Sequence, residues 1–159
     1  MIEITLVLIK PDAVERGLVG EIVKRIEQRG LRIIGLKMTK IDSEFAKKHY
    51  SEHIDKSFYE GLESFITSGP LVAMAVEGVD AIEAVRKIVG ATEPKSAIPG
   101  TIRGDFAHVS YSHADEKGIT VKNLIHASGN KKDAEKEVSL WFGIDEMYDY
   151  PHVHKKHVY

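Results

Sequence analysis

The run Ile4-Thr5-Leu6-Val7-Leu8-Ile9-Lys10-Pro11 sets the architecture. It is apolar almost without a break and is closed by Lys10-Pro11. It therefore reads as a central strand buried on both faces, because proline cannot continue a hydrogen-bonded ladder. After Gly17, residues Val19, Ile22, Val23 and Ile26 recur at the spacing of one helical face, while Glu21, Lys24, Arg25 and Glu27 take the other and Gly30 supplies the stop. From Leu31 the period changes to two, with Ile34, Leu36 and Met38 alternating against Gly35, Lys37 and Thr39. That alternation predicts a half-exposed strand, and a β-α-β unit is complete by Ile41.

Downstream, Asp42-Ser43 offers an N-cap for a short helix through Tyr50, and Ser57-Phe58-Tyr59-Glu60 has the form of a capping box that opens a second helix. Gly69-Pro70 closes this helical pair. Residues 71–77 read as a third strand, and Asp80 as the cap of a helix whose apolar positions Ile82, Val85, Ile88 and Val89 end at Gly90. The stretch 90–118 holds Pro94, Pro99, Gly100 and Gly104 between brief apolar runs, and so long a connection inside one domain is expected to be functional. Residues 121–125 predict a fourth strand, and Ala134, Val138, Trp141 and Phe142 stripe a last helix before a tail rich in His, Tyr and Lys. The order is β-α-β, a helical pair, then β-α-β, an α+β class with helices layered on a four-stranded sheet.

Composition narrows the function. A chain of 159 residues with 43% hydrophobic content is expected to form a single domain over 1–159. Lys and Arg number 22 against 24 Asp and Glu, a formal charge of -2, so the strong positive field of a nucleic-acid reader is missing. With no Cys, thiolate zinc sites and cysteine nucleophiles are excluded, and a reducing, cytoplasmic setting is expected. The opening residues lack the layout of a signal peptide, and the apolar runs are far shorter than the roughly 20 residues of a membrane-spanning helix, so no membrane partner is expected.

Gly90-Ala91-Thr92-Glu93-Pro94-Lys95-Ser96 is not a Walker loop, because Pro94 stands where a glycine is required, and no Gly-x-Gly-x-x-Gly occurs. His49-Tyr50-Ser51-Glu52-His53 matches a zinc-peptidase pattern, against which stands a solvated helix face carrying two of the chain's eight histidines. The tail histidines His152, His154 and His157 read as an exposed end. More informative is Asn123-Leu124-Ile125-His126-Ala127-Ser128-Gly129-Asn130, where a histidine leaves a buried strand and meets a small-residue turn. On the helix beyond, Glu137 lies among Ala134, Val138 and Trp141, an expensive place for a carboxylate without a partner. A histidine with one ring nitrogen held by a carboxylate keeps the other free for attack. The rival reading is a structural histidine and a solvated helix-edge glutamate.

Several separated blocks resemble the nucleoside diphosphate kinase family along essentially the whole chain. They are Thr5-Leu6-Val7-Leu8-Ile9-Lys10-Pro11-Asp12 with Arg16-Gly17-Leu18-Val19-Gly20-Glu21-Ile22, then Ser68-Gly69-Pro70-Leu71-Val72-Ala73-Met74 and Gly90-Ala91-Thr92-Glu93-Pro94. Pro99-Gly100-Thr101-Ile102-Arg103-Gly104-Asp105-Phe106 and Asn123-Leu124-Ile125-His126 with Ser139-Leu140-Trp141-Phe142 complete the set. The resemblance implies a ferredoxin-like βαββαβ fold, a four-stranded antiparallel sheet covered by helices with a helical hairpin inserted after the second strand. It also implies ping-pong transfer of a γ-phosphate from a nucleoside triphosphate such as ATP to a nucleoside diphosphate such as GDP through His126.

By the same resemblance Glu137 and Ser128 orient that histidine and Tyr50 lies near it. Lys10 reaches ribose and phosphate, Arg86 and Arg103 hold the phosphates, Thr92 adds a hydroxyl and Asn123 bonds the ribose. Phe58 stacks on the base, with Leu62 one turn on. Stacking tolerates every base, so broad nucleotide use follows. Mg2+ is implied as a bridge between phosphate oxygens without a protein cage, and the assembly implied is a homo-oligomer, a hexamer.

Two features depart from the family pattern. The histidine is followed by Ala127-Ser128-Gly129-Asn130 where the family has Gly-Ser-Asp-Ser, and Ala127 requires a negative φ. The connection 108–122 is also longer. The altered turn keeps open a second reading, a catalytically silent ferredoxin-like module that binds nucleotide.

Overall fold

The computed structural model describes residues 1–159. In chain order the elements are β1 (Ile2–Ile9), α1 (Pro11–Glu15), α2 (Val19–Gln28), β2 (Arg32–Thr39), α3 (Ser43–His49), α4 (Tyr59–Ile66), β3 (Leu71–Val79) and α5 (Ala81–Val89). A 3-10 turn Pro94–Ser96 follows, then α6 (Ile102–Phe106), α7 (Tyr111–Lys117), β4 (Ile125–Ala127), α8 (Lys131–Trp141), a second 3-10 turn Ile144–Glu146 and α9 (Lys155–Val158). The sheet runs β2-β3-β1-β4, every neighbouring pair antiparallel. This is the ferredoxin-like arrangement.

The apolar opening run is explained by where β1 lies. Val7 and Ile9 join Ile22, Ile26, Val85 and Val89 on the side covered by α2 and α5. Leu6 and Leu8 join Ala46, Ile66, Val138 and Trp141 on the side covered by α3, α4 and α8. A strand sandwiched between two helical layers has no solvent face and so carries no polar alternation. No helix is long and apolar enough to cross a membrane.

Four local expectations are corrected. The fourth strand is Ile125–Ala127 and not residues 121–125, because a tight turn at Leu124 precedes the ladder. The capping box at Ser57 does not form. Overlapping turns from Tyr50 to Tyr59 (His53 N–H to Tyr50, Lys56 N–H to His53, Tyr59 N–H to Lys56) lead into α4, and its cap residue Phe58 is already helical. Asp80 does not cap α5 through its side chain. It takes a left-handed φ of 48° and its carboxylate meets the amino group of Met1 at 3.0 Å, while Glu3 on β1 accepts from the Ile82 N–H at 3.2 Å.

The fourth correction concerns β2. Its Ile34 is buried, but Leu36 and Met38 are 53% and 60% exposed. An irregularity between Ile33 and Gly35 shifts the register, and the cluster on the α2 side takes in Leu31 and Ile33 but neither Leu36 nor Met38. Gly35 has its own reason: a Cβ there would stand 3.0 Å from both the Phe142 ring and the Glu146 carbonyl, where the tail crosses the strand.

Candidate active site

The ends of β1 and β4 deliver the site. Where β1 stops at Pro11, the Lys10 N–H donates to the Leu124 carbonyl at 2.8 Å, and its ammonium donates to Asn123 Oδ1 at 2.8 Å. Burial, with the charge of Arg103 adding to it, pushes the Lys10 pKa down to about 8. Asn123 in turn donates through Nδ2 to the Thr92 carbonyl at 2.9 Å, which fixes the loop that follows α5.

Between Asn123 and β4 the backbone is strained. The Ile125 N–H bonds the Asn123 carbonyl at 2.8 Å, and Leu124 between them has φ 71°. These are the marks of the rare γ-turn, a conformation that costs a non-glycine residue about 1–3 kcal/mol. Distant groups hold it. Asp12 Oδ2 accepts from the Leu124 N–H at 3.1 Å, and the buried Arg103 guanidinium donates to the carbonyls of Asn123, Gly90 and Ile125. Burial, with Arg86 nearby, lowers the Arg103 pKa to about 10, so it stays charged at neutral pH.

The turn hands the chain to His126. Its Nε2 lies 3.0 and 3.1 Å from the two carboxylate oxygens of Glu137. Burial works against the Glu137 charge, but the hydrogen bond and charge of His126 and the Ser128 hydroxyl outweigh it, and the carboxyl titrates below its usual range. Ser128 Oγ donates to Glu137 at 2.6 Å and accepts from the Leu6 N–H at 3.2 Å, tying the carboxylate to β1. An ionised carboxylate only accepts, so the proton sits on Nε2. Nδ1 keeps its lone pair and has no hydrogen-bond partner in the protein.

A cleft of about 290 Å3 opens beside His126, lined among others by Lys10, Tyr50, Arg86, Thr92, Arg103 and Asn123. Arg86 and Thr92 are exposed at its mouth. A larger hollow of about 750 Å3, around Glu3, Glu83 and Lys87, shares Arg86 but holds none of the paired groups beside His126. The structure thus brings together the expected His126, Glu137, Ser128, Tyr50, Lys10, Arg86, Thr92, Arg103 and Asn123. It does not draw Phe58 or Leu62 into the cleft wall: Phe58 is half exposed beside His53, and Leu62 packs against the core under α4.

The altered turn is accommodated. Ala127 has no positive φ and pairs with Val7 in the ladder. Asn130 caps α8, its Oδ1 accepting from the Asp133 N–H at 3.0 Å, so an amide does a hydroxyl's capping work. The long 108–122 connection carries α7, pinned to the Thr92 loop where Glu93 accepts from the Tyr111 N–H.

The reading of His49 and His53 as a solvated pair is corrected for His49, which is only 8% exposed and accepts at Nδ1 from the Trp141 indole at 3.1 Å. The inward spacing of Ala46, His49 and Tyr50 was the available signal. One ligand atom each from His49, His126 and Glu137 lies within 4.8 Å of the others, and neither Glu52 nor His53 belongs to that group.

Known proteins match nearly the whole chain. Residues 3–147 match the family described as nucleoside diphosphate kinase. The nucleoside diphosphate kinase of Pyrococcus abyssi is 54% identical over 149 residues, 94% of this chain and 89% of its own. That of Archaeoglobus fulgidus is 47% identical over 158 residues, covering 99% and 97%. Among solved structures, a transition-state mimic of the Borrelia burgdorferi nucleoside-diphosphate kinase with vanadate and ADP superposes with a TM-score of 0.95 at 42% identity, covering 99% of this chain and 96% of that one. A Halobacterium salinarum nucleoside diphosphate kinase in complex with CDP gives 0.89 at 45%, covering 100% and 99%. With sequence and fold agreeing over nearly the full length, the chain belongs to the nucleoside diphosphate kinase family and has that phosphotransferase activity.

Proposed function

We propose that the transfer runs through Nδ1 of His126. The observation that supports this is the bonded Nε2, which leaves the opposite nitrogen as a lone pair at the cleft. In the first half-reaction the Nδ1 lone pair attacks the γ-phosphorus, the bond from phosphorus to the β,γ-bridging oxygen breaks, and the diphosphate leaves with that electron pair. The ring becomes cationic, and Glu137, partly buried and already ionised, balances it. In the second half-reaction a β-phosphate oxygen of the acceptor attacks and the ring recovers its lone pair. Ser128 holds Glu137 in place.

Lys10, Arg86 and Arg103 supply the positive charge that three phosphates require, with planar forked donors from the arginines. Asn123 and Thr92 position ribose and phosphate, Tyr50 borders the histidine, and Phe58 offers an exposed ring to the base with Leu62 behind it. Substrates carrying so many phosphate oxygens bring a divalent cation, Mg2+ in this reading. Of the carboxylates lining the cleft, Glu137 is committed to His126 and Ser128, Asp133 accepts from the Asn130 amide and Glu52 is exposed, and with Lys10, Arg86, Arg103 and Lys136 alongside them the donor set suits an ion held by phosphates and water. When bound, the ion neutralises developing phosphate charge. The uncovered Leu36 and Met38 on the edge strand support a symmetric homo-oligomer, for which we take the hexamer. A single domain over 1–159 working in the cytoplasm completes the reading.

The test is the intact mass after brief exposure to ATP and Mg2+. A gain of one phosphate, acid-labile as a phosphorus–nitrogen bond is and discharged by GDP as GTP appears, is expected. No phosphate under any nucleotide pairing would sink the phosphohistidine route.

Lys10 makes the route pH-dependent. With its pKa near 8 in the folded chain, it loses the charge that binds phosphate above that pH. The kcat/KM profile, which reports the free enzyme, is expected to fall above about pH 8, and Lys10→Arg to move that limb upward. A profile flat to pH 10 would contradict the assignment. The stability sign is opposite: the folded pKa lies below the unfolded 10.5, so between about 8 and 10.5 the unfolded chain binds the extra proton, and this group's contribution to stability rises with pH.

A further inference from the structure

One buried titratable group beside the nucleophile has no part in the reaction described above. His49, near the end of α3, packs against the His126 ring with centroids 4.9 Å apart and planes at 83°. Its other neighbour is Trp141, the last residue of α8, whose indole N–H donates to His49 Nδ1. An indole nitrogen can only donate, so Nδ1 is an acceptor and the proton of the neutral ring is on Nε2. That Nε2–H is buried and has no partner within the protein. With Nδ1 committed to the indole and the proton on Nε2, neither ring nitrogen offers a metal ion a lone pair, which sets aside the zinc reading of this histidine.

We propose that His49 is a positioning residue for His126: its ring, clamped by the Trp141 indole and standing edge-on to the imidazole, holds His126 in the plane that keeps Nε2 on Glu137 and turns Nδ1 toward the cleft. The inference rests on His126 being the phosphoryl acceptor. Two demands select a histidine here. The group must be an aromatic ring to pack edge-on, and it must accept from a buried indole that would otherwise be orphaned. Phenylalanine meets only the first.

A third demand is neutrality, since the phosphorylated His126 ring is cationic and a second cation within 5 Å would oppose it. The charged and titratable groups around His49 are Lys10 at the end of β1, His126 on β4, Lys136 and Glu137 on α8, and Tyr50 beside it on the chain. Burial dominates, followed by the charge of His126, and pushes the His49 pKa down to about 3, so the ring is uncharged wherever the enzyme works.

Three variants separate positioning from simple packing. His49→Phe keeps the ring and orphans the indole, Trp141→Phe removes the indole donor, and the double variant removes both ends of the bond. In single-turnover phosphorylation by ATP, His49→Phe is expected to be slower by about 10- to 100-fold, the scale of a misaligned reacting group, with ADP affinity within about twofold of the parent. In the double variant the melting temperature recovers because no buried donor is left unpaired, and the rate stays low. A parent-like rate in His49→Phe, or a rate that recovers together with stability, overturns the proposal.

Nitrogen-15 spectra of the parent's histidines read the same question without a variant. His49 should stay the Nε2–H tautomer between about pH 5 and 9, and titration in that range overturns the proposal even if a variant fails to fold. If the parent itself takes up no phosphate, the His126 reading fails. If the parent is phosphorylated and His49→Phe keeps pace, only the His49 inference fails.

Discussion

His126→Ala is expected to lower steady-state transfer from ATP to GDP by about 10^4-fold or more, the scale on which loss of a covalent nucleophile registers. No neighbour can take over. His49 is locked by Trp141 with its free nitrogen protonated, and His53, although it lines the cleft, is an exposed ring beside Tyr50 and Phe58 with no carboxylate paired to it. The alanine also strips Glu137 of its ring donor, although the Ser128 hydroxyl still donates to it. His126→Gln is the control, since its amide can keep donating to the carboxylate: it should be as inactive as alanine while melting closer to the parent. ADP should bind both variants nearly as well as the parent, because Lys10, Arg86, Thr92, Arg103 and Asn123 remain. Intact mass reports the covalent step and calorimetry the binding step. Either variant accepting a phosphate, or keeping a tenth of parental turnover, would remove His126 from its assigned role.

How much of this was legible depended on whether the deciding contact is local. The unbroken run ending at Pro11 could only be a strand covered on both faces, and the spacing of Val19, Ile22, Val23 and Ile26 needs nothing beyond its own helix. Glu137 could be read from its place in an apolar stripe, because a carboxylate there demands a partner and His126 is the donor the chain brings.

The misses share the opposite property. Leucine at φ 71° carries no local signal such as a glycine would. Leu124 is held there by Asp12, 112 residues away, and Arg103 bonds the carbonyls on either side of it, so the strand was expected several residues too early. Glu3 replaces Asp80 at the start of α5 across 79 residues, and Trp141 reaches His49 across 92. Phe58 and Leu62 are a different case. Their nucleotide roles came from resemblance, and the structure leaves the Phe58 ring exposed at the start of α4 while Leu62 packs against the core.

Arg103→Met is expected to cost both activity, about 10^2- to 10^3-fold in the rate of His126 phosphorylation, and stability, about 2–4 kcal/mol. The two losses have separate causes in one side chain. A guanidinium carries five N–H donors. Here Nε, Nη1 and Nη2 each give one to a carbonyl, of Asn123, Gly90 and Ile125 respectively, and one hydrogen on each terminal nitrogen remains for phosphate. Methionine keeps the length and the packing but withdraws every donor, so the carbonyls flanking the strained Leu124 lose their brace and the turn that aims His126 can relax.

Arg86→Met is the comparison that isolates this. Arg86 brings the same charge to the same cleft, yet it is exposed and donates no hydrogen bond to the protein. Its loss should slow transfer while moving the urea midpoint by no more than about 0.5 kcal/mol. Lysine at 103 sharpens the distinction, since it restores a cation for phosphate without a fork for three carbonyls; it should recover part of the rate and little of the stability. If Arg103→Met unfolds at the parental midpoint, the arginine serves phosphate alone and the γ-turn is maintained by Asp12 and Lys10. If instead the stability falls as expected, the same residue assigned to the transferring phosphate also sets the backbone from which the nucleophile reaches it.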